Sequence, residues 1–353
     1  MPKHTSDNLR IKRKHLVWLK DAKGLSQSSI DKAAASIAIY DRWLKGKDYR
    51  AFHSERARAF KRHLQSLRNE RTGAPLSAAT INGVLRDVMK LFDWMADQPG
   101  YKSKISRSDI AYLTPDRKSE QARRSTLWKP HPSPEQVDHL LSSMPVETEI
   151  QRRDRALIAF LFLTGSREGA AMTVQLRHVD LANRCVQFDG RSVDTKFGKS
   201  FTASFFPFGD NLEQIMREWI RELRKDHLFS NTDALFPKTR VAVGPSRRFE
   251  TMGIAREPWA GPSSAAGIFK KAFINAGLPP FSPHRVRDTI AELAKLHCRT
   301  PEDYKAWSQN MGHDDVMTTF SSYGSVSPGR QVELMGRFRR RGPLPDEDAV
   351  IDE

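Results

Sequence analysis

Side chains suited to phosphate-ester chemistry stand in five separated places along this sequence. Arg167 ends the run Thr164-Gly165-Ser166-Arg167, and Lys196 and Lys199 lie in Asp194-Thr195-Lys196-Phe197-Gly198-Lys199. His284 and Arg287 share His284-Arg285-Val286-Arg287, His313 closes Met311-Gly312-His313, and Tyr323 follows ten residues later. A phosphodiester is anionic, and its equatorial oxygens gain charge when one bridging oxygen displaces another in line. Two arginines offer forked donors that stay charged, and a histidine can donate to the same oxygens or carry a proton. A phenol, with a pKa near ~10, is a weak nucleophile at neutral pH, and cations beside it favour the phenolate. Taken singly, each residue has an ordinary reading: Arg167 as a helix-start arginine, His284 and Arg287 as a solvated helical face, His313 as a helix cap.

Elements that could hold these residues follow from the hydrophobic spacing. Arg152 to Leu163 is an apolar helix ending before Gly165, and a short helix follows through Val174. β-like stretches near Arg184–Phe188 and Ser200–Phe206 flank a turn-rich segment, which puts Lys196 at the tip of a hairpin. His284 and Arg287, three apart, share one face of a helix over 284–297. Further helices are predicted at 211–225, 263–276 and 302–311, and Ser133-Pro134 opens one before them. This half reads as mainly α with one small sheet. Upstream, helices are predicted over Ser26–Leu44 and Ser54–Leu67, and after a Ser77 cap with Ile81, Val84, Leu85, Val88, Leu91, Phe92 and Met95 on one side. The other side of that last helix carries Asn82, Arg86 and Lys90, candidates for nucleic-acid contact. The domain reading is a flexible 1–12, a helical module 13–115, a Pro- and charge-rich linker 116–130, an α+β domain 131–340 and an acidic tail 341–353.

The 353 residues suffice for two domains. Net charge is +16, and residues 1–130 carry 28 basic against 13 acidic side chains, whereas 131–353 carry 30 against 29. An excess held by the first third fits a polyanion-facing module, with solvated helix faces as the plain alternative. Cys185 and Cys298 form no framework, and the nine histidines other than His284 and His313 show no metal spacing. No signal-like or membrane-length apolar run occurs, so a cytoplasmic protein, nucleoid-associated when on DNA, is expected.

The five motifs, in this order and approximate spacing, resemble the tyrosine recombinase (phage integrase) family, over nearly the whole chain. Residues 10–115 resemble its helical core-binding domain and 131–335 its catalytic domain. The resemblance implies a two-domain clamp on duplex DNA. Arg167 and Arg287 would hold the scissile phosphate, His284 would donate and act as acid or base, and His313 would donate as well. Tyr323 would form a 3′-phosphotyrosyl bond. Lys196 matches the hairpin lysine that protonates the 5′-oxygen, with Lys199 as the alternative or as a DNA contact. No cofactor, metal or ATP is implied. Four protomers would assemble in a synapse and exchange strands through a Holliday junction, with residues about Val332 to Phe338 packing on a neighbour. Among six tyrosines, Tyr304 alone also lies in the C-terminal region, and it reads as packing. One departure stands out: many members have an acid three residues after the first arginine, where this chain has Ala170, with Glu168 directly after Arg167. Type IB topoisomerase-like relaxation and a catalytically silent DNA-binding protein are the rival readings.

Overall fold

The computed structural model describes residues 3–70, 72–115, 130–243, 247–261, 263–313 and 328–339. The chain divides into two compact units, residues 1–125 and 126–353. Each has its own core.

The first unit is helical: α1 (Lys3–Asp21), α2 (Gln27–Leu44), α3 (Ser54–Ser66), α4 (Ala78–Met95) and the short α5 (Arg107–Ile110). Ser26 and Ser77 cap α2 and α4, each accepting a backbone N–H three residues on, and so satisfy donors that a helix start leaves open. The core gathers aromatic rings: Tyr40 meets Phe60 and Phe92 edge-on, and Phe52 stacks on Phe92 at 4.0 Å. The sequence reading of a flexible 1–12 is corrected here, because α1 begins at Lys3. Its polar residues hide specific anchors: Asn8 donates to Lys47 O (2.8 Å) and accepts from Tyr49 N (3.1 Å), and Ile11 is buried.

Unit two is mainly helical with two small sheets. Its elements are α6 (Pro134–Ser143), α7 (Glu149–Thr164), α8 (Glu168–Thr173), β1 (Val179–Asp180), β2 (Cys185–Phe188), β3 (Phe201–Ser204) and α9 (Asp210–Lys225). Then come β4 (Thr239–Val243), β5 (Phe249–Ile254), α10 (Ser263–Asn275), α11 (Arg285–His297), α12 (Pro301–Asn310) and α13 (Pro328–Arg339). α7 is buried continuously from Ala156 to Thr164. It forms the axis of the core, with Phe160 against Phe236 and Phe162 against Phe208 and Phe269. Strands β1, β2 and β3 pair antiparallel in that order, with Phe188 opposite Phe201 at the loop end of the β2–β3 hairpin. A second antiparallel hairpin, β4–β5, joins them with Val243 opposite Phe249, so the expected single sheet is two. No helix among the described residues is long and apolar enough to cross a membrane.

Candidate active site

The first arginine is placed by a helix that must stop. α7 ends in Gly165, whose φ of +60° closes the last turn through a 2.9 Å bond from its N–H to Leu161 O. A Cβ at this position would also lie 3.0 Å from Ile290 and 3.1 Å from Phe206. Only glycine combines the left-handed backbone with that close packing. The chain turns through buried Ser166, and Arg167 becomes the residue from which α8 starts.

Arg287, in the first turn of α11, is buried to 6 % exposure. Its guanidinium donates to Gly165 O, to Met311 O (3.0 Å) and to His313 Nε2. One buried cation thus ties together the turns that carry Arg167 and His313. Burial first, and then the nearby Arg167, push its pKa down to about 9. His313 is pushed down to about 4, by burial first and then by Arg287, Arg167, Lys196 and Lys199. Its ring is therefore neutral at pH 7. An arginine can only donate, so Nε2 accepts and the tautomer carries its proton on Nδ1.

His284 precedes α11 and stands at the rim. Its pKa is lowered by desolvation first, with Arg287, Arg285 and Arg167 acting in the same direction and Asp288 opposing. Lys196 belongs to the β2–β3 connection, in a single 3-10 turn (Lys196–Gly198). Next to it Phe197 is 90 % exposed with a φ of +63°, and the lysine ammonium lies 4.9 Å from the Phe197 ring centre.

These residues meet in space. Arg167, Lys196, Lys199, Arg287 and His313 line one cavity of about 170 Å³, together with Ser166, Ala170, Thr195, Phe197, Phe201, Met311 and Gly312. Among the described residues no carboxylate lines it. Ser166 Oγ and Thr195 Oγ1 are buried and without a hydrogen-bond partner among the described residues. Such buried hydroxyls are donors open to an anion. An adjoining cavity of about 320 Å³ adds His284, Glu168 and Asp194 to Arg167, Lys196 and Arg287. Desolvation raises the Glu168 pKa. Ala170 is a core residue at 4 % exposure. Two arginines, two lysines, a neutral histidine and spare hydroxyls around a small cavity suit a tetrahedral oxyanion.

The phage integrase family profile matches residues 133–330. The chain belongs to that family, and with it to the tyrosine-type site-specific recombinases. Among relatives, the tyrosine recombinase XerD of Ralstonia nicotianae is 24 % identical over 331 residues, covering 92 % of both chains. That of Pasteurella multocida is 22 % identical over 326 residues, covering 92 % of this chain and 96 % of the relative. In fold, the chain is similar to a lambda integrase dimer bound to a COC′ core site, with a TM-score of 0.62 and 12 % identity over 90 % of this chain and 96 % of that one. It is also similar to the XerH recombinase bound to difH, with a TM-score of 0.57 and 15 % identity over 96 % of this chain and 85 % of that one.

Other sequence candidates lie elsewhere. Tyr323 falls outside the described residues. Its rival Tyr304 sits half-buried on α12, where burial first and then Cys298 raise its pKa, opposite to the need of a nucleophile. Asn82, Arg86 and Lys90 lie on α4 in the first unit, but not on one open face. Lys90 is exposed and Arg86 half-buried, whereas Asn82 is 2 % exposed. That corrects Asn82 as a DNA contact: α4 packs against α1, α2, α3 and α5, so its buried arc is broader than its apolar stripe. Sequence reasoning missed Ser166, Thr195, Thr173 and Asp194 as wall and support of the site. Ser166 and Thr195 carried one usable signal, each being a small polar residue directly before a motif cation. Among the described residues no group of three His, Cys, Asp or Glu that could hold a metal occurs.

Proposed function

We propose that this chain cuts and rejoins duplex DNA at a specific site, one strand at a time, through a covalent 3′-phosphotyrosyl link to Tyr323. The observation that carries the reading is the convergence of Arg167, Arg287, Lys196, Lys199 and His313 on a single cavity that no carboxylate of the described residues lines. In it the two arginines grip the equatorial oxygens of the scissile phosphate and His313 donates as well, while His284 acts from the adjoining cavity. Oriented cationic donors of this kind lower the barrier where charge develops. As the Tyr323 oxygen gives its proton to His284 and bonds to phosphorus, the P–O5′ bond breaks and its electron pair leaves on the 5′-oxygen. Lys196 gives that oxygen a proton, and religation runs the same steps backwards without ATP.

The first unit, with α1 from Lys3, serves through residue 115 as the core-binding domain, 116–130 as the linker, 131–340 as the catalytic domain and 341–353 as an acidic tail. The basic first unit holds DNA phosphates, with Arg86 and Lys90 among its contacts, and the two domains clamp the duplex. Four protomers act in the synapse. In α13, Val332 and Met335 are 73 % and 55 % exposed, three residues apart on one helical face, as packing on a neighbour requires. The role is integration, excision or transposition of a mobile element, carried out in the cytoplasm on DNA.

The test starts by enriching bound duplexes from a random pool, then nicking the selected site to trap the cleaved state. Wild type should form an adduct that survives denaturing electrophoresis, and Tyr323→Phe should not. An adduct of undiminished yield from Tyr323→Phe refutes the nucleophile. Binding without any adduct from wild type favours the silent DNA-binding protein.

A further inference from the structure

Lys196 stands on a connection of twelve residues between β2 and β3, long enough to need support if its ammonium is to meet one oxygen. The first part of this connection is tethered. Gly190 N donates to Ser200 Oγ (2.9 Å), closing the base of the loop, and Ser192 Oγ lies 3.2 Å from His178 Nε2. Val193 is buried in the core of the unit. The next residue, Asp194, donates its backbone N–H to Thr173 Oγ1 at 2.8 Å. The Thr173 hydroxyl in turn lies within bonding distance of Gly169 O (3.1 Å) and Ala170 O (3.3 Å), so its proton and its lone pair are both used.

Thr173 is the last residue of α8, and the residue from which α8 starts is Arg167. Gly169 lies one turn before Thr173 on the same helical face. A Cβ at Gly169 would meet the Asp194 carboxylate at 3.1 Å. The absent side chain lets the loop lie against the helix, and the threonine fastens it there. Two residues beyond this bond comes Lys196.

We infer that Thr173 is a positioning residue: its hydroxyl latches the lysine loop to the helix that starts at Arg167, so that phosphate grip and proton donor are held as one unit. The inference rests on the reading of Lys196 as the proton donor. The latch shares no contact with Arg287 or His313, which have their own supports in the phosphate cavity. Its effect is confined to the moment when the 5′-oxygen needs a proton.

That confinement gives the test. Thr173→Val keeps the shape and removes the hydroxyl, Thr173→Ala removes it without a branched side chain, and Thr173→Ser keeps it. Each full-length protein is assayed for covalent adduct on the selected site, once with the natural bridging oxygen and once with sulfur in the 5′-bridging place. When the P–S bond breaks, the sulfur leaves as a thiolate and needs no proton. On the oxygen substrate, Thr173→Val and Thr173→Ala should cleave about 10- to 100-fold slower than wild type, the cost of a misplaced catalytic group. Thr173→Ser should stay within about twofold. On the sulfur substrate all three should match wild type, which also shows that they are folded.

A Thr173→Val or Thr173→Ala defect of equal size on both substrates overturns the latch, and so does full activity of both on oxygen. Lys196→Ala separates this failure from that of the underlying reading. If sulfur rescues Lys196→Ala but not the Thr173 variants, the latch is wrong and the lysine stands. If sulfur does not rescue Lys196→Ala, the proton-donor reading itself falls, and the latch falls with it.

Discussion

A neutral His313 at pH 7 has a measurable cost when the pH is lowered. A histidine in an unfolded chain titrates near 6.5, and in the folded protein His313 titrates at about 4. Above pH 6.5 the ring is neutral in both states, and its full contribution to stability is present. As the pH falls from 6.5 towards 4, the unfolded chain takes up a proton that the folded one refuses, so stability is lost through that window. At 1.36 kcal/mol per pKa unit the loss approaches about 3 kcal/mol. The ring is 9 % exposed, so solvent screens little of it. His313→Gln does not titrate and keeps an amide oxygen that can accept from Arg287. Urea unfolding of the two full-length proteins, followed by tryptophan fluorescence at steps from about pH 7 to pH 4, measures the difference directly. Other depressed histidines, such as His15, His178 and His284, remain in both proteins and cancel in the comparison. Wild type should lose about 3 kcal/mol more than the variant over this range. Parallel losses would mean that His313 is not held neutral beside the arginines, and its place in the phosphate cavity would have to be given up.

Two further outcomes separate surface from core. Lys90→Ala should weaken DNA binding uniformly across sequences and lower the salt slope by about one ion, read by fluorescence anisotropy at several salt concentrations. Asn82→Ala should leave that slope unchanged and instead cost about 1–3 kcal/mol of stability, as loss of a buried polar group does. Gly165→Ala should cost about 1–3 kcal/mol by thermal or urea unfolding, because the new Cβ meets Ile290 and Phe206 on a left-handed backbone.

Much of this was legible in the sequence, for reasons that differ by element. The helix caps at Ser77 and Ser133 are local signals and were readable as such, and Ser26, read as the start of its helix, is the cap of α2. So were the apolar run of α7 and the strands around the lysine loop. α1 was not readable from its polar first residues, because what fixes it is Asn8 clasping the backbone of residues 47 and 49 far along the chain. The β4–β5 hairpin did carry a signal, since Thr239 to Val243 and Phe249 to Ile254 flank Gly244-Pro245-Ser246, a turn-type sequence. Its exposed Val241, Val243, Phe249 and Met252 leave no alternation of buried and open faces to read. The motif residues were found by type and order. The contacts that support them were not, because Thr173 reaches Asp194 across a stretch that no local periodicity spans.

The missing acid at position 170 raises the question of what holds the arginines, and for Arg287 the answer is backbone. Carbonyl oxygens of Gly165 and Met311 accept from it, together with a neutral imidazole. These partners are dipoles without net charge, and the nearby Asp288 raises the Arg287 pKa by less than burial and Arg167 lower it. A carboxylate in the same place would anchor it more strongly and would also cancel the charge that the phosphate is to meet. The cost is visible in the Arg287 pKa, pushed down to about 9 by burial and by Arg167. A buried cation facing another cation is relieved when an anion enters between them, so the repulsion between Arg287 and Arg167 favours phosphate binding. The arrangement also explains why the motifs occur as short runs ending in Gly-Ser-Arg and Gly-His. The turns at Gly165 and Gly312 present the carbonyls of Gly165 and Met311, and Arg167 and His313, one or two residues beyond each glycine, carry the charge and the ring into the same cavity.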